Sequence, residues 1–237
     1  MFKNKFMLVL PLLLLIGCSV SVGPTQTESR SVELGNVDSV RVGIQMGVGE
    51  LNVEGGATNL MDAEFTYNIE AWRPTVEYAQ RGDIGELQIA QPSGEINGIP
   101  DNDVNYRWDI ALQNDVPMDM DVDLGVGESN LTLGGLALQS LLVNTGIGQA
   151  TIDLSGSWQD SFDVTIKGGV GETTIYLPDG VGLRVEANTG LGELVINGLQ
   201  REGDSNVYTN DAYGESEVTI SLTVDGGIGK IAVQVGK

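Results

Sequence analysis

The segment Leu141–Asp153, LLVNTGIGQATID, contains the pattern that decides the fold. Apolar and polar residues alternate on both sides of a Gly-Ile-Gly triplet at residues 146–148. A period of two places alternate side chains on opposite faces of a β-strand. The segment therefore predicts two β-strands, each with one buried face, joined by a bend at the two glycines.

The Gly-aliphatic-Gly triplet recurs along the chain, which indicates a repeat protein. The glycines of its six full copies are Gly47 and Gly49, Gly125 and Gly127, Gly146 and Gly148, Gly169 and Gly171, Gly190 and Gly192, and Gly227 and Gly229. A weaker seventh copy is Asp83-Ile84-Gly85. We expect both glycines to allow positive φ at the bend, and the aliphatic residue between them to fill a corner of the core.

The spacing of the copies predicts the architecture. Four consecutive copies, which begin at residues 125, 146, 169 and 190, lie 21, 23 and 21 residues apart. This length holds two strands and two turns, and such units bury their aliphatic residues by stacking at about 4.7–4.9 Å per layer. We predict an all-β fold, a β-solenoid or flattened β-roll of stacked two-strand coils with a period of about 21 residues. A β-sandwich of hairpins is the alternative, because periodicity does not determine strand direction.

The N-terminus predicts a lipoprotein signal peptide over residues 1–17. Lys3 and Lys5 precede an apolar run, Phe6–Ile16, which suits a signal peptide better than a bilayer-spanning helix. The run ends at Leu15-Ile16-Gly17-Cys18, which resembles a bacterial lipobox. We predict that Cys18, the only cysteine, carries the lipid, and that residues 18–31 form a flexible tether. The protein would then be anchored at the extracytoplasmic face of the cell membrane; in an envelope with two membranes, the outer membrane is the alternative.

Composition excludes several functions. The formal net charge of −21 argues against nucleic-acid binding, and the absence of histidine excludes His-based catalysis and metal sites. No acid and base stand at a spacing typical of an active site, and Gly-x-Gly lacks the following helix of a phosphate loop. We therefore predict no catalysis and no cofactor. A carbohydrate-cleaving β-helix enzyme is the less favoured alternative.

Three aspartates, Asp119, Asp121 and Asp123, lie two residues apart on a predicted strand and so share its outer face. Their spacing imitates the start of an EF-hand loop, but the required glycine and bidentate glutamate are missing. We interpret them as solvated surface; weak binding of a divalent cation is the alternative.

The longer intervals between copies predict insertions at the edge opposite the glycine bends. Six aromatic residues are assigned to that edge: Trp72, Tyr106, Trp108, Trp158, Tyr208 and Tyr213. Because Trp and Tyr provide large contact areas with few rotamers, we hypothesise that they bind an envelope protein or a cell-wall glycan. The alternative for each residue is a structural role in a loop or at an end of the solenoid. A second hypothesis is self-association through the last strand, Ile231–Val235, which has no evident cap after it.

Most of the chain resembles known bacterial families. From Val32 to about Ser93 it resembles the N-terminal domain of toast-rack proteins, in the stretches Val40–Val42, Met46–Leu51, Phe65–Asn68, Pro74–Val76 and Gly85–Ile89. From Trp108 to Lys237 it is similar to Gly-x-Gly-rich, adhesin-like domains of the kind exported in the cell-wall-active antibiotic response. We accordingly expect two continuous domains, residues 32–118 and 119–237. The resemblance implies stacked β-units and an envelope binding or sensing module, and it implies no catalytic residues.

Overall fold

The computed structural model of the chain describes residues 22–92, 104–188 and 190–236. In these ranges seventeen strands form one hydrogen-bonded sheet, accompanied by a short 3-10 helix at Glu70–Trp72. The strands are β1 Gln26–Val32, β2 Ser39–Gly55, β3 Met61–Tyr67, β4 Thr75–Arg81, β5 Ile84–Ala90, β6 Tyr106–Leu112, β7 Met118–Thr132, β8 Leu138–Asn144, β9 Ile147–Asp153, β10 Phe162–Lys167, β11 Val170–Leu177, β12 Gly182–Asn188, β13 Leu191–Asn197, β14 Gln200–Arg201, β15 Val207–Thr209, β16 Thr219–Asp225 and β17 Ile228–Val235. The helical part of these ranges is too short to cross a bilayer.

The glycine bends fold the sheet into two walls. The upstream wall, which precedes the bends, has the strand order β4, β5, β2, β7, β8, β10, β16, β12, β15, β14. The downstream wall has the order β1, β3, β6, β2, β7, β9, β11, β17, β13. The long strands β2 and β7 run through the bend, so each belongs to both walls.

Neighbouring coils pair in parallel and in register. β7 lies along β2 from Met118 opposite Val40 to Thr132 opposite Glu54, and Gly127 lies opposite Gly49. Parallel neighbours require a crossover connection, which a coil supplies and a hairpin does not. The predicted β-solenoid is therefore confirmed, and the hairpin sandwich is not formed.

The core lies between the two walls and consists of the alternating apolar residues on both sides of the glycine bends. Leu141 and Val143, five and three residues before a motif glycine, are buried, and so is Ile152, six residues after it. Each fully buried aliphatic side chain contributes about 1.5–3 kcal/mol. Because each coil buries these residues against its neighbours, its stability depends on the coils above and below it.

The coils do not stack in chain order. β16 pairs with both β10 and β12, and β17 pairs with both β11 and β13. The last coil in the sequence is therefore the second-to-last coil in the stack. The prediction that Ile231–Val235 forms an open end is therefore wrong. The connection at residues 198–218 is long enough for the chain to pass back over the coil formed by β12 and β13. The coil formed by β16 and β17 then has a neighbouring coil on each side. The downstream wall instead ends at β13.

The predicted tether is too long. Gln26 begins β1, which pairs antiparallel with β3, so residues 26–31 are strand rather than tether. The predicted boundary between Met118 and Asp119 falls inside β7, which pairs with β2 on both sides of the bend, and one sheet runs through both predicted domains. The predicted signal peptide and Cys18 lie outside the described residues.

Asp83-Ile84-Gly85 is not a seventh copy of the motif. It follows the tight turn between β4 and β5, and Gly85 lies opposite Val40, far along β2 from that strand's own bend. Ile89 consequently lies opposite Ile44 in the upstream wall. A hairpin turn and a coil bend both require small residues between alternating strands, so the local pattern does not separate them.

Candidate functional site

The glycine bends form one edge of the molecule, where backbone packs directly on backbone. A Cβ on Gly127 would lie 1.8 Å from the carbonyl oxygen of Gly49, and a Cβ on Gly146 would lie 1.9 Å from that of Gly125. Only glycine allows this approach. Among the motif glycines, positive φ occurs at the second position in five of the six copies, as at Gly127 with φ of 145°, but not at Gly192. The prediction of positive φ is therefore right for the second glycine of those five copies and wrong for the first glycine, which from Gly125 onward is required by the close contact alone.

In five of the six copies the aliphatic residue between the glycines points outward, so the prediction that it fills the core is wrong for these copies. Val48, in the first copy, is partly buried and packs against the core. In stack order the five outward residues are Val126, Ile147, Val170, Ile228 and Leu191. We call this set the aliphatic ridge; 45% to 74% of each residue is exposed. The downstream strand buries the residues four and six positions after the first glycine. The ridge residue lies one position after that glycine, three and five residues before the buried positions, so it belongs to the opposite face of the strand. This spacing is visible in the sequence and was sufficient to predict that the ridge is exposed.

The aliphatic ridge is a continuous apolar surface. Its five side chains are stacked at the strand spacing, so it runs for roughly 20 Å. It contains five of the seven large apolar residues that are exposed among the described residues. Glu172 and Lys230, two residues beyond the ridge on neighbouring strands, form an ion pair of 3.2 Å beside it. Apolar patches rimmed by charged groups are typical of protein interaction sites.

The space beneath the ridge is too small for an organic ligand. Ser129, Ala150 and Thr173 line the inner side of the bend, and the cavity there has a volume of about 40 Å³. A water molecule needs roughly 10–15 Å³ measured in this way, whereas ligand pockets are about ten times larger. The Ser129 hydroxyl is buried without a protein partner, and the cavity offers it room for water. Binding at this edge therefore belongs to the outer surface.

Three of the six predicted aromatic contact residues are core residues. Trp72, Tyr106 and Trp108 are 3%, 4% and 0% exposed. The ring of Tyr106 lies 5.6 Å from that of Trp72 and 5.8 Å from that of Trp108, and its hydroxyl donates to the Trp72 carbonyl at 2.5 Å. Burial raises the pKa of Tyr106. A binding role for these residues is wrong, because β6 and the 3-10 helix cover the first coil and need large side chains to close the core there.

The other three aromatic residues lie on the predicted edge and have mainly structural contacts. Trp158 is half-buried; its ring lies 4.5 Å from that of Phe162, and its Nε1 donates to the Leu154 carbonyl at 2.8 Å. Tyr208, on β15, is half-buried, with the Arg201 guanidinium 6.0 Å from its ring centre. Tyr213 is 40% exposed. The structure therefore does not bring the six residues together into one surface.

A polar groove of about 670 Å³ lies on the outer face of the downstream wall. Arg107 bonds to Glu50 at 2.7 Å and to Asp109 at 2.8 Å, and Asn52 donates to Asp109 at 2.9 Å. The bond from Arg107 holds the pKa of Asp109 below its usual range. The local sequence does not reveal this network, because its residues come from strands distant in the chain. The Arg107 guanidinium is already paired with two carboxylates, so it has less need of a ligand than the ridge has.

The three aspartates of β7 lie along the outer side of the upstream wall. Asp119 accepts from the Ser140 hydroxyl at 2.5 Å, and Asp123 accepts from the Asn144 amide at 2.6 Å. Burial and the charge of Asp123 raise the pKa of Asp121. In the part of the chain that the structure describes, no group of three or more acidic, cysteine or histidine side chains is placed to hold a metal ion.

Two known protein families match the sequence of this chain. Residues 21–176 match the sequence profile of the N-terminal domain of toast-rack, DUF2154. The chain belongs to the toast-rack family. Residues 125–233 also match the C-terminal domain of LiaF, a cell wall-active antibiotics response protein. Both resemblances inferred from the sequence are thereby confirmed for this toast-rack chain, and the two matched regions overlap in the middle of the solenoid.

One solved structure has the same fold over nearly the whole chain. The toast-rack chain is similar to the crystal structure of a candidate cell adhesion protein from Clostridium sporogenes, with 31% identity and a TM-score of 0.84 over 90% of this chain and all of that one. A candidate adhesin from Bacteroides fragilis is 16% identical over 92% of this chain and all of that one, with a TM-score of 0.36. A search among proteins of curated function found no match. The descriptions of the LiaF profile and of the Clostridium sporogenes protein refer to the cell-wall-active antibiotics response and to cell adhesion.

Proposed function

We propose that this toast-rack chain is a non-catalytic, adhesin-like binding module of the bacterial envelope, anchored by a lipid on Cys18, and that it binds a protein through the aliphatic ridge. The observation that carries the proposal is the exposure of five stacked aliphatic side chains in a strongly acidic protein. Burial of apolar surface contributes about 25 cal/mol of free energy per Å², and the exposed ridge lacks this contribution. A partner that covers the ridge recovers this free energy.

The side chains of the ridge favour a protein partner over a glycan. Sugar rings are bound by flat aromatic side chains and convergent polar groups, whereas the ridge consists of Val, Ile and Leu. Trp72 and Trp108, the tryptophans that a glycan site would need, are enclosed in the core. The rim contains Glu128, Glu172 and Glu193, so the partner surface would combine an apolar groove with basic residues at its margins.

The scaffold prepares the ridge for binding. In-register hydrogen bonding holds each coil, so the spacing of the ridge residues is set before a partner arrives. Four of the five residues are β-branched and have few χ1 rotamers to lose. Both features lower the entropic cost of association.

Several observations support a non-catalytic function. Histidine is absent from the chain, and the cavity under the bends has room only for water. In the polar groove, the Arg107 guanidinium is already paired with Glu50 and Asp109, so it is not available to hold a substrate.

The anchor would hold the solenoid close to the membrane. Cys18 follows the signal-like segment, and seven residues separate it from Gln26, the first residue of β1. Seven extended residues span at most about 25 Å. Lipid attachment through two chains is stable where attachment through one is marginal.

Site-specific crosslinking tests the proposal. A photoreactive residue would replace Ile147 or Val170 on the ridge, or Thr151 or Thr174 on the outer face of the same strands, as matched controls. We expect one discrete protein adduct from envelope extract at the ridge positions and none at the controls. With the purified partner, Val170→Glu should weaken binding by at least about tenfold, equivalent to about 1.4 kcal/mol. Equal crosslinking at all four positions, or none at the ridge, would refute the proposal.

A further inference from the structure

At the end of the stack that contains β12 and β13, the upstream wall has two more strands than the downstream wall. The upstream wall continues beyond β12 with β15 and β14. The downstream wall stops at β13, whose only pairing in the described part of the chain is with β17. Two strands correspond to about 10 Å. The end of the molecule therefore has a notch beside β13, bounded on one side by the β14–β15 hairpin.

The side chains of β13 lack the cover that their counterparts have. On β17, the residues Ile231, Ala232 and Val233 are 8%, 4% and 0% exposed. On β13, the residues in register with them, Leu194, Val195 and Ile196, are each partly exposed. The two strands have similar sequences and the same orientation, so the difference arises from the missing next layer.

The backbone of β13 presents free hydrogen-bonding groups to the notch. Leu191 donates its N–H to the carbonyl of Gly227, toward the preceding layer, at 2.9 Å. Residues of a parallel strand direct their N–H and C=O groups alternately to the two sides. Leu194 and Ile196 lie three and five residues after Leu191, so their groups face the notch. An added extended strand would pair with this whole row, which otherwise bonds to water.

Edge protection is weaker at β13 than at the opposite end of the stack. The edge strand β1 carries Glu28 and Arg30, and the edge strand β4 carries Glu77 and Arg81. In contrast, β13 carries one charged residue, Glu193, and neither proline nor a bulge. Natural proteins use such charges, prolines and bulges to prevent strand addition.

The surroundings of the notch are acidic. Residues 190–218 contain six carboxylates and one guanidinium, that of Arg201. The guanidinium is already bonded to the Ser205 carbonyl at 2.6 Å. A segment that enters the notch therefore gains from basic residues near its ends.

We infer that β13 is an acceptor for an extended segment of a partner protein, which adds to the downstream wall as a parallel strand. The segment has apolar residues at alternate positions, to cover Leu194 and Ile196, and basic residues at its flanks. A second copy of the whole domain does not fit by flat pairing of two β13 edges, because β15 and β14 project into the space that the upstream wall of the second copy would need.

A peptide that copies β17 is a suitable probe, because β17 already pairs with β13 in parallel. We would label the sequence of Ile228–Val235 with two lysines at each end and measure fluorescence anisotropy on a chain that starts at Val22, which retains every described contact. We expect saturable binding, at least about tenfold tighter than that of a scrambled peptide with the same lysines. Flanking glutamates in place of lysines should weaken binding by a similar factor at low salt.

Variants of one residue separate strand pairing from general attraction. Ile196→Pro removes an N–H that faces the notch, which an edge strand tolerates, and should abolish binding. Ile196→Val keeps the N–H and the apolar branched side chain and should bind like the parent. Melting temperatures would confirm that both variants are folded. Equal binding by a folded Ile196→Pro variant, or by the scrambled peptide, would overturn the inference.

Sedimentation velocity tests the choice of occupant. We expect the chain from Val22 to remain monomeric as its concentration rises. Dimers that form with concentration and disappear in Ile196→Pro would instead assign the notch to a second copy of this chain, against the inference.

Discussion

The carbonyl oxygen of Gly49 lies 1.8 Å from the position that a Cβ of Gly127 would occupy. Successive coils therefore meet at the bend through backbone atoms alone. This contact brings the strands to sheet spacing on both sides of the bend and leaves the intervening aliphatic side chain no position except the outside. The requirement for glycine and the exposure of the ridge have the same origin.

Replacement of a motif glycine should destabilise the solenoid severely. In Gly148→Ala the added methyl group would lie 1.9 Å from the Gly127 carbonyl oxygen, at a φ of 140°. We expect the free energy of unfolding in urea to fall by at least about 3 kcal/mol. Gly180→Ala is the control, because a Cβ there meets nothing within 4 Å. Similar stabilities of the two variants would contradict the glycine contact.

Two isoleucines of β9 should respond very differently to truncation. Ile152 is fully buried, and Ile147 on the same strand is 56% exposed. Ile152→Ala should cost about 2–5 kcal/mol because it leaves a cavity. Ile147→Ala should cost less than about 1 kcal/mol, because its side chain is already largely in water. Thermal denaturation of both variants measures this, and a large loss in Ile147→Ala would place the ridge residue in the core after all.

Asp121→Asn should stabilise the protein at neutral pH. Burial and the neighbouring charge of Asp123 raise the pKa of Asp121 above 3.8, while Lys167 partly offsets them. A carboxyl group with a raised pKa destabilises the folded state above that pKa, and the effect vanishes below the unfolded value of 3.8. We expect a gain below about 1 kcal/mol at pH 7 that disappears near pH 3.

Urea denaturation at the two pH values measures the effect of Asp121→Asn. Asp115→Asn, at an exposed position before β7, is the control, and its effect should not follow the same course. A loss of stability at pH 7 in Asp121→Asn would show that the carboxylate is needed as a surface ligand or hydrogen-bond partner.

Hydrogen exchange should reveal the order of the coils. β17 has a strand on each side, so the amides of Ala232 and Val233 should exchange only on opening of the stack. The amides of Leu194 and Ile196 on β13 face the notch and should exchange at least about 100-fold faster. Protection of β13 with rapid exchange in β17 would mean that the coils stack in chain order.

Membrane attachment should depend on Cys18. Intact mass of the mature protein should show a diacylglycerol-linked cysteine as its first residue, and Cys18→Ser should remain unlipidated and leave the membrane fraction. The fold from β1 onward should be unchanged, with the same melting temperature. Membrane retention of Cys18→Ser would refute the anchor.

Much of the core was predictable because it repeats. Period-two spacing around the bend at residues 146–148 places Leu141, Val143 and Ile152 on the buried faces of their strands, and the structure buries all three. Such spacing is local, and six copies reinforce it. The aromatic residues have no comparable repeat. Trp72 and Trp108 were assigned to an exposed edge from their place in long insertions, and they close the end of the core instead.

The sequence by itself determined that this chain forms stacked β-coils with glycine bends, because a coil's period, its buried face and its bend are properties of about twenty consecutive residues. The order of the coils was decided only by the tertiary structure. β17 enters between β11 and β13, and nothing in its own residues distinguishes this position from the end of the stack. Coils with the same apolar rows fit against one another almost equally well. The long connection at residues 198–218 and the burial of both sides of β17 then decide which neighbours it has.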